Sequence, residues 1–166
     1  MAYNSRGRFP QGQQFVTYHN GSGVATTSRR TEEPSTPFGD GSIGTPLWSA
    51  SESPADISRR AINQLPDISA ASSGSFFTTY DIPPGYDGPF HRSVTLDYVL
   101  VFRGIVTLTM EDGSQVTLAE GDTVVQQGTM HKWSNQEDSW ARMVTVMVSA
   151  HPPVVAGREM QPHWPY

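Results

Sequence analysis

The stretch IVTLTMEDGSQVTL, residues 105–118, decides the fold. Two runs rich in Val, Thr and Leu flank Asp112-Gly113, a pair that tolerates the positive φ angles a tight antiparallel turn demands. Working outward, the same pattern repeats on both sides. SFFTTYDI (75–82), HRSVTLDYVLVF (91–102), DTVVQQ (122–127) and ARMVTVMVSA (141–150) are all rich in β-branched, leucine or aromatic residues. Pro83-Pro84-Gly85, Gly104, Gly121 and Gly128 separate them. Short strands with a turn signal every 8–12 residues or so predict an all-β sandwich or barrel over residues 75–150. No helix of useful length fits there.

Residues 1–74 differ in kind. Pro, Gly, Ser and Thr dominate, and the clearest ordered piece is QFVTYH (14–19), a strand running into an Asn20-Gly21 turn. The rest is predicted to be an extended arm packed on the barrel or a partner subunit, because Pro46-Leu47-Trp48 is costly to leave in water. A short helix is expected within 53–65, with Ser53 as N-cap and Pro54 in the first turn. The tail, 151–166, is rich in proline, yet its Val154, Val155 and Trp164 call for a packing partner.

Composition excludes several functions. The 166-residue chain carries a net charge of -5 with only 11 Lys and Arg and no basic run longer than a pair. That balance argues against nucleic acid or an anionic membrane as partner. Without cysteine there is no disulfide, zinc knuckle or thiol nucleophile. No stretch has the length of a membrane span or a secretory h-region, so a cytoplasmic protein is expected.

The chemistry-bearing residues lie in two clusters. His91, Ser93, Thr95 and Asp97 share parity on one strand and point to one face, while Val94, Leu96 and Tyr98 point to the other. His131 and Trp133 share parity further on. Two histidines and an aspartate are therefore expected to converge on one cavity.

These residues carry a resemblance. Gly85, His91, Ser93, Asp97 and Gly104 stand at the spacing of the first cupin motif, and Gly121, Gly128, His131 and Asn135 follow the second, one residue short near its start. The chain thus resembles the cupin superfamily, specifically small single-domain cupins of bacteria and of fungal secondary-metabolite pathways. The resemblance implies a jelly-roll β-barrel, or double-stranded β-helix, around an interior that holds a ligand. It also implies a homodimer. In metal-binding members the first motif supplies two histidines and a glutamate, and the second a further histidine. Here those positions are His91, Ser93, Asp97 and His131, so one histidine is replaced and the glutamate is shortened by a methylene. Aspartate reaches roughly 1.5 Å less far, a large deficit where ligand distances hold within about 0.2 Å.

Three readings follow. His91, Asp97 and His131 could hold Fe, Mn or Zn, the first two as a dioxygenase-like 2-His-1-carboxylate site. Alternatively, without metal, the same three groups move protons on a bound carbonyl compound, as a lyase or an isomerase/cyclase acting on a polyketide-like oxygenated metabolite. The third reading is a non-catalytic small-molecule-binding cupin. In each, Ser93, Thr95, Tyr98 and Gln126 are expected to hydrogen-bond ligand oxygens, with Phe90, Val99, Val101 and Trp133 as apolar walls. Asn135 is expected to cap the loop after His131, and Arg92 to point away from His91.

Overall fold

The computed structural model describes residues 7–30, 35–58 and 72–165. Its frame is two facing antiparallel sheets. We number the strands β1 (Gln14–His19), β2 (Ala25–Arg30), β3 (Thr36–Pro37), β4 (Ile43–Ala50), β5 (Ser75–Ile82), β6 (Tyr86–Asp87) and β7 (Thr95–Arg103). They continue as β8 (Val106–Met110), β9 (Gln115–Leu118), β10 (Thr123–Gln127), β11 (His131–Asn135), β12 (Ala141–Ser149), β13 (Val154–Val155) and β14 (Arg158–Glu159). The larger sheet has the order β10-β7-β12-β5-β4-β3, and the smaller β6-β11-β8-β9. No helix occurs among the described residues. The fold is the all-β barrel the strand pattern predicts.

Local chemistry explains the register. The β8–β9 hairpin closes at Asp112-Gly113, where Gly113 takes φ 84° and the Asp112 carboxylate accepts from the Ser114 amide and hydroxyl. On β7, inward Thr95, Asp97, Val99 and Val101 are buried while alternate residues are more exposed. Val99 and Val101 join Ile82, Val106, Leu108 and Trp133 in the core between the sheets. Removing these side chains from water supplies the main drive to fold, about 25 cal/mol for each Å² buried.

The N-terminal region is more structured than an arm with one strand. β1 does appear at 14–19, but it pairs with β2 in a separate hairpin rather than with a barrel edge. β4 runs antiparallel along β5, so the larger sheet begins before residue 75. Proline and glycine in IGTPLWSA hid this strand, and the register shifts between Pro46 and Trp48 at the place where proline interrupts the ladder. The hairpin rests against β4: Gln14 and Arg30 both donate to the Leu47 carbonyl, and the Arg30 guanidinium lies over Trp48. Of the helix expected within 53–65, residues 53–58 are irregular, and 59–65 lie outside the described residues.

A buried ionic clasp ties the N-terminal segment to the larger sheet. Asp81 on β5 is fully buried and accepts from Arg142 Nε at 2.5 Å and Nη2 at 2.8 Å. Arg8 Nε donates to the same carboxylate at 2.8 Å. Arg142 also donates to the Phe9 and Pro10 carbonyls, which fixes the N-terminal segment against β12. With its partners present the carboxylate is compensated; without them its burial would be prohibitive.

Candidate active site

His91 and His131 meet because their backbones pair. The two residues exchange amide-to-carbonyl bonds of 2.9 and 3.1 Å in an isolated antiparallel bridge, which puts both side chains on one face. Their ring centroids are 4.4 Å apart. Each Nδ1 sits against a backbone carbonyl, Pro89 for His91 at 3.2 Å and Thr129 for His131 at 2.9 Å. A neutral imidazole donating from Nδ1 keeps its lone pair on Nε2. Burial lowers the pKa of both, that of His131 to about 4, with the neighbouring His91 a lesser cause. Both rings are therefore neutral bases at neutral pH.

Asp97 stands on the next inward position after Thr95 and is 6% exposed. Thr95 donates to Ser93 Oγ at 2.8 Å, and Ser93 donates onward to Asp97 Oδ2 at 3.4 Å. The other carboxyl oxygen, Oδ1, is buried with no hydrogen-bond partner. Burial raises the Asp97 pKa, and the two hydroxyls only partly offset it. The carboxyl thus has one oxygen held by Ser93 and a second, buried oxygen without a protein partner. Tyr80, also pushed up to about 12 by burial and then by the Asp97 charge, keeps its phenolic proton.

These groups line a cavity of about 540 Å³. Of the expected residues, His91, Ser93, Asp97, Val99, Gln126, His131 and Trp133 all face it. Four do not. Thr95 lies one hydrogen bond behind the wall, and Val101 is sealed in the core. Tyr98 has the opposite parity to Asp97 and is 50% exposed on the outer face of the sheet. Phe90 alternates away from His91 and instead lies beneath the Lys132 ammonium. Gln126 does face the cavity, but its amide is taken by Thr129. Asn135 has the structural role expected of it, donating to the Ile82, Pro83 and Ser139 carbonyls.

Several wall residues were not foreseen. Met143, Thr145 and Met147 share one parity on β12, and their register against Val101, Val99 and Asp97 turns them inward. The loop carrying Phe38, Asp40 and Ser42 adds a further wall, tied down by a 2.8 Å bond from Tyr86 Oη to Asp40. Trp164, from the tail, stacks on His91 with centroids 4.9 Å apart and planes at 18°. Arg92 points the other way, as expected, toward Glu111 and the Gln161 carbonyl.

The donor set does not fit a metal centre. Among the described residues no three His, Cys, Asp or Glu side chains are grouped to hold an ion. Ser93 offers a neutral hydroxyl where a third imidazole would stand. The expected set of His91, Asp97 and His131 as ligands is therefore not assembled, although the two imidazoles are.

Comparison with known proteins agrees with this architecture. The Cupin domain family model (Cupin_2) matches residues 78–147. The chain is 30% identical over 156 residues to phomopsin biosynthesis cluster protein C' of Diaporthe leptostromiformis, covering 87% of this chain and 82% of that one. A cupin-domain-containing oxidoreductase of Neurospora crassa is 34% identical over 98 residues, 54% of this chain and 47% of that protein. The cupin domain of Schizosaccharomyces pombe Cnp3 superposes with a TM-score of 0.55 at 9% identity, over 84% of this chain and 89% of that one, a likeness of fold alone. Oryzines biosynthesis cluster protein J of Aspergillus oryzae is 31% identical over 163 residues, 92% of this chain and 90% of that protein. With that similarity running nearly end to end and the Cupin domain model matching residues 78–147, the chain belongs to the cupins.

Proposed function

We propose that this cupin is a proton-transfer enzyme, a lyase or isomerase/cyclase acting on a small, partly apolar metabolite that carries a carbonyl group. One observation supports this most directly. Two neutral imidazoles with their Nδ1 atoms held by backbone carbonyls share a cavity with a buried carboxyl whose Oδ1 has no partner.

The chemistry needs only those groups. His91 Nε2 removes a proton from the carbon next to the substrate carbonyl, and the electron pair moves onto the carbonyl oxygen. Asp97, in its protonated form, donates a hydrogen bond to that oxygen as charge develops, with Tyr80 a second donor on the wall. The proton then returns to another carbon in an isomerisation, or leaves with a β-hydroxyl as water in a dehydration. His131 accepts a hydrogen bond from a substrate hydroxyl and orients it. An imidazolium formed in so buried a site is costly, which favours prompt return of the proton. Relatives in fungal biosynthesis clusters support a metabolite as substrate.

The naming of some relatives as oxidoreductases favours oxygen chemistry as the second reading. One experiment separates the two: delete the gene in the source organism, identify the accumulated precursor, and convert it with purified protein in the presence of a chelator. A product that is an isomer of the precursor, or lighter by one water, formed despite the chelator, is expected. A product that has gained oxygen, with conversion lost on chelation and stoichiometric metal in the purified protein, would overturn the proposal.

A further inference from the structure

The cavity wall contains a residue that the barrel itself does not supply. Trp164 reaches it from the C-terminal tail, more than sixty residues in sequence from His91, on which it stacks. The tail is brought there by a single antiparallel bridge. The Arg92 amide donates to the His163 carbonyl at 2.8 Å, and the His163 amide donates back at 2.9 Å. Trp164 is still 52% exposed, so one part of its surface lies against His91 and the cavity while the rest faces solvent. Trp133, Tyr80, Tyr86 and Phe38 supply further ring surface to the same cavity.

We propose that Trp164 is a specificity-determining residue that selects planar, conjugated ligands by stacking, resting on the reading of this cavity as the substrate site. The part of the indole ring that the His91 imidazole does not cover lines the cavity at the point where the proton-accepting ring begins. A flat ligand lies against such a surface over more of its area than a puckered one of the same composition, which touches it at a few atoms and forfeits dispersion contact. The polar groups, His91, His131, Asp97 and Ser93, then meet the oxygen substituents of a ligand held by its rings. The ligand class is therefore an aromatic or extensively conjugated ring system bearing a hydroxyl or carbonyl oxygen.

A matched pair of probes tests this without knowledge of the natural substrate. 2-Naphthol and decahydro-2-naphthol share a carbon skeleton and one hydroxyl, but only the first is flat. Their binding to the full-length protein is measured by titration calorimetry for wild type, Trp164→Ala and Trp164→Phe. Wild type is expected to prefer 2-naphthol. Trp164→Ala is expected to weaken 2-naphthol on the order of three- to tenfold, and decahydro-2-naphthol by less than about twofold. Trp164→Phe should retain most of the preference, since a flat ring remains. Equal loss for both probes, which a merely structural tail would produce, overturns the proposal, as does an unchanged affinity for 2-naphthol or its failure to bind wild type. The imidazole NMR signals of His131, identified through His131→Gln, report separately on the cavity. If they move with 2-naphthol while Trp164→Ala leaves affinity unchanged, the stacking role fails and the cavity reading stands. If 2-naphthol binds without moving them, the cavity reading is what fails.

Discussion

Acidification is expected to destabilise this protein through His131. The imidazole is 3% exposed, and burial lowers its pKa from 6.5 to about 4. In the unfolded chain the ring regains its ordinary value. Between those two values the unfolded state binds a proton that the folded state refuses, so stability rises with pH across that window. Nothing is lost above the unfolded value, and the loss is complete once pH falls through the folded one. At about 1.4 kcal/mol per unit, the full difference is about 3 kcal/mol. Most of this, about 2–3 kcal/mol, falls between pH values of about 7.5 and about 4.5. That is a large share of a typical 5–15 kcal/mol domain stability. Asp97 acts in the opposite sense, because its raised pKa makes protonation favour the folded state. Wild type is therefore compared with His131→Gln by urea unfolding at the two pH values. The variant is expected to lose about 2 kcal/mol less than wild type on acidification. Equal losses in the two proteins would refute the reasoning, whatever the variant's stability at neutral pH.

Asp97→Asn is expected to lower turnover on the order of a hundredfold by removing the proton donor. Its melting temperature relative to wild type should be higher at alkaline than at acid pH, because burial penalises only the ionised carboxyl; a relative stability independent of pH would contradict this. Asp81→Ala leaves the Arg142 guanidinium uncompensated and should cost about 3–5 kcal/mol by urea unfolding. The double change Asp81→Leu with Arg142→Met should recover most of that loss, and failure to do so would mean that the clasp is not the cause. Gly104→Ala combines a φ of 78° with a new methyl group 2.9 Å from the Trp140 carbonyl, so a loss of about 1–3 kcal/mol is expected, with unchanged thermal stability as the contrary result.

The barrel strands were legible because alternation and turn chemistry are local properties. SFFTTYDI and the Asp112-Gly113 hairpin need no distant information to be recognised. The pairing of His91 with His131 was legible only through the spacing of two motifs, and parity then placed Ser93 and Asp97 beside them. Parity had placed Tyr98 opposite Asp97 in phase, yet it was still expected to contact the ligand, and its exposed position on the outer face corrects that expectation. What stayed hidden depends on long-range register. β4 is masked by Pro46 and Gly44, and its place beside β5 is set by pairing rather than by composition. Trp164 has no periodic context at all; its position over His91 follows from the bridge between Arg92 and His163. The missing third ligand was foreshadowed by Ser93, but only the geometry shows Asp97 turned to a hydroxyl partner.

The position of β12 has a consequence for how the molecule is made. β12 follows every other barrel strand in the chain, yet it lies at the middle of the larger sheet, between β7 and β5. Until residues 141–149 have left the ribosome, β10-β7 and β5-β4-β3 have no strand to join them, and Asp81 has no Arg142. The nascent chain must therefore hold two unfinished half-sheets apart and accept a single late insertion, a high-contact-order closure of the kind that is slow. Truncations ending before residue 141 should be insoluble, whereas a chain divided within 136–140 should reassemble when the missing strand is supplied as a peptide.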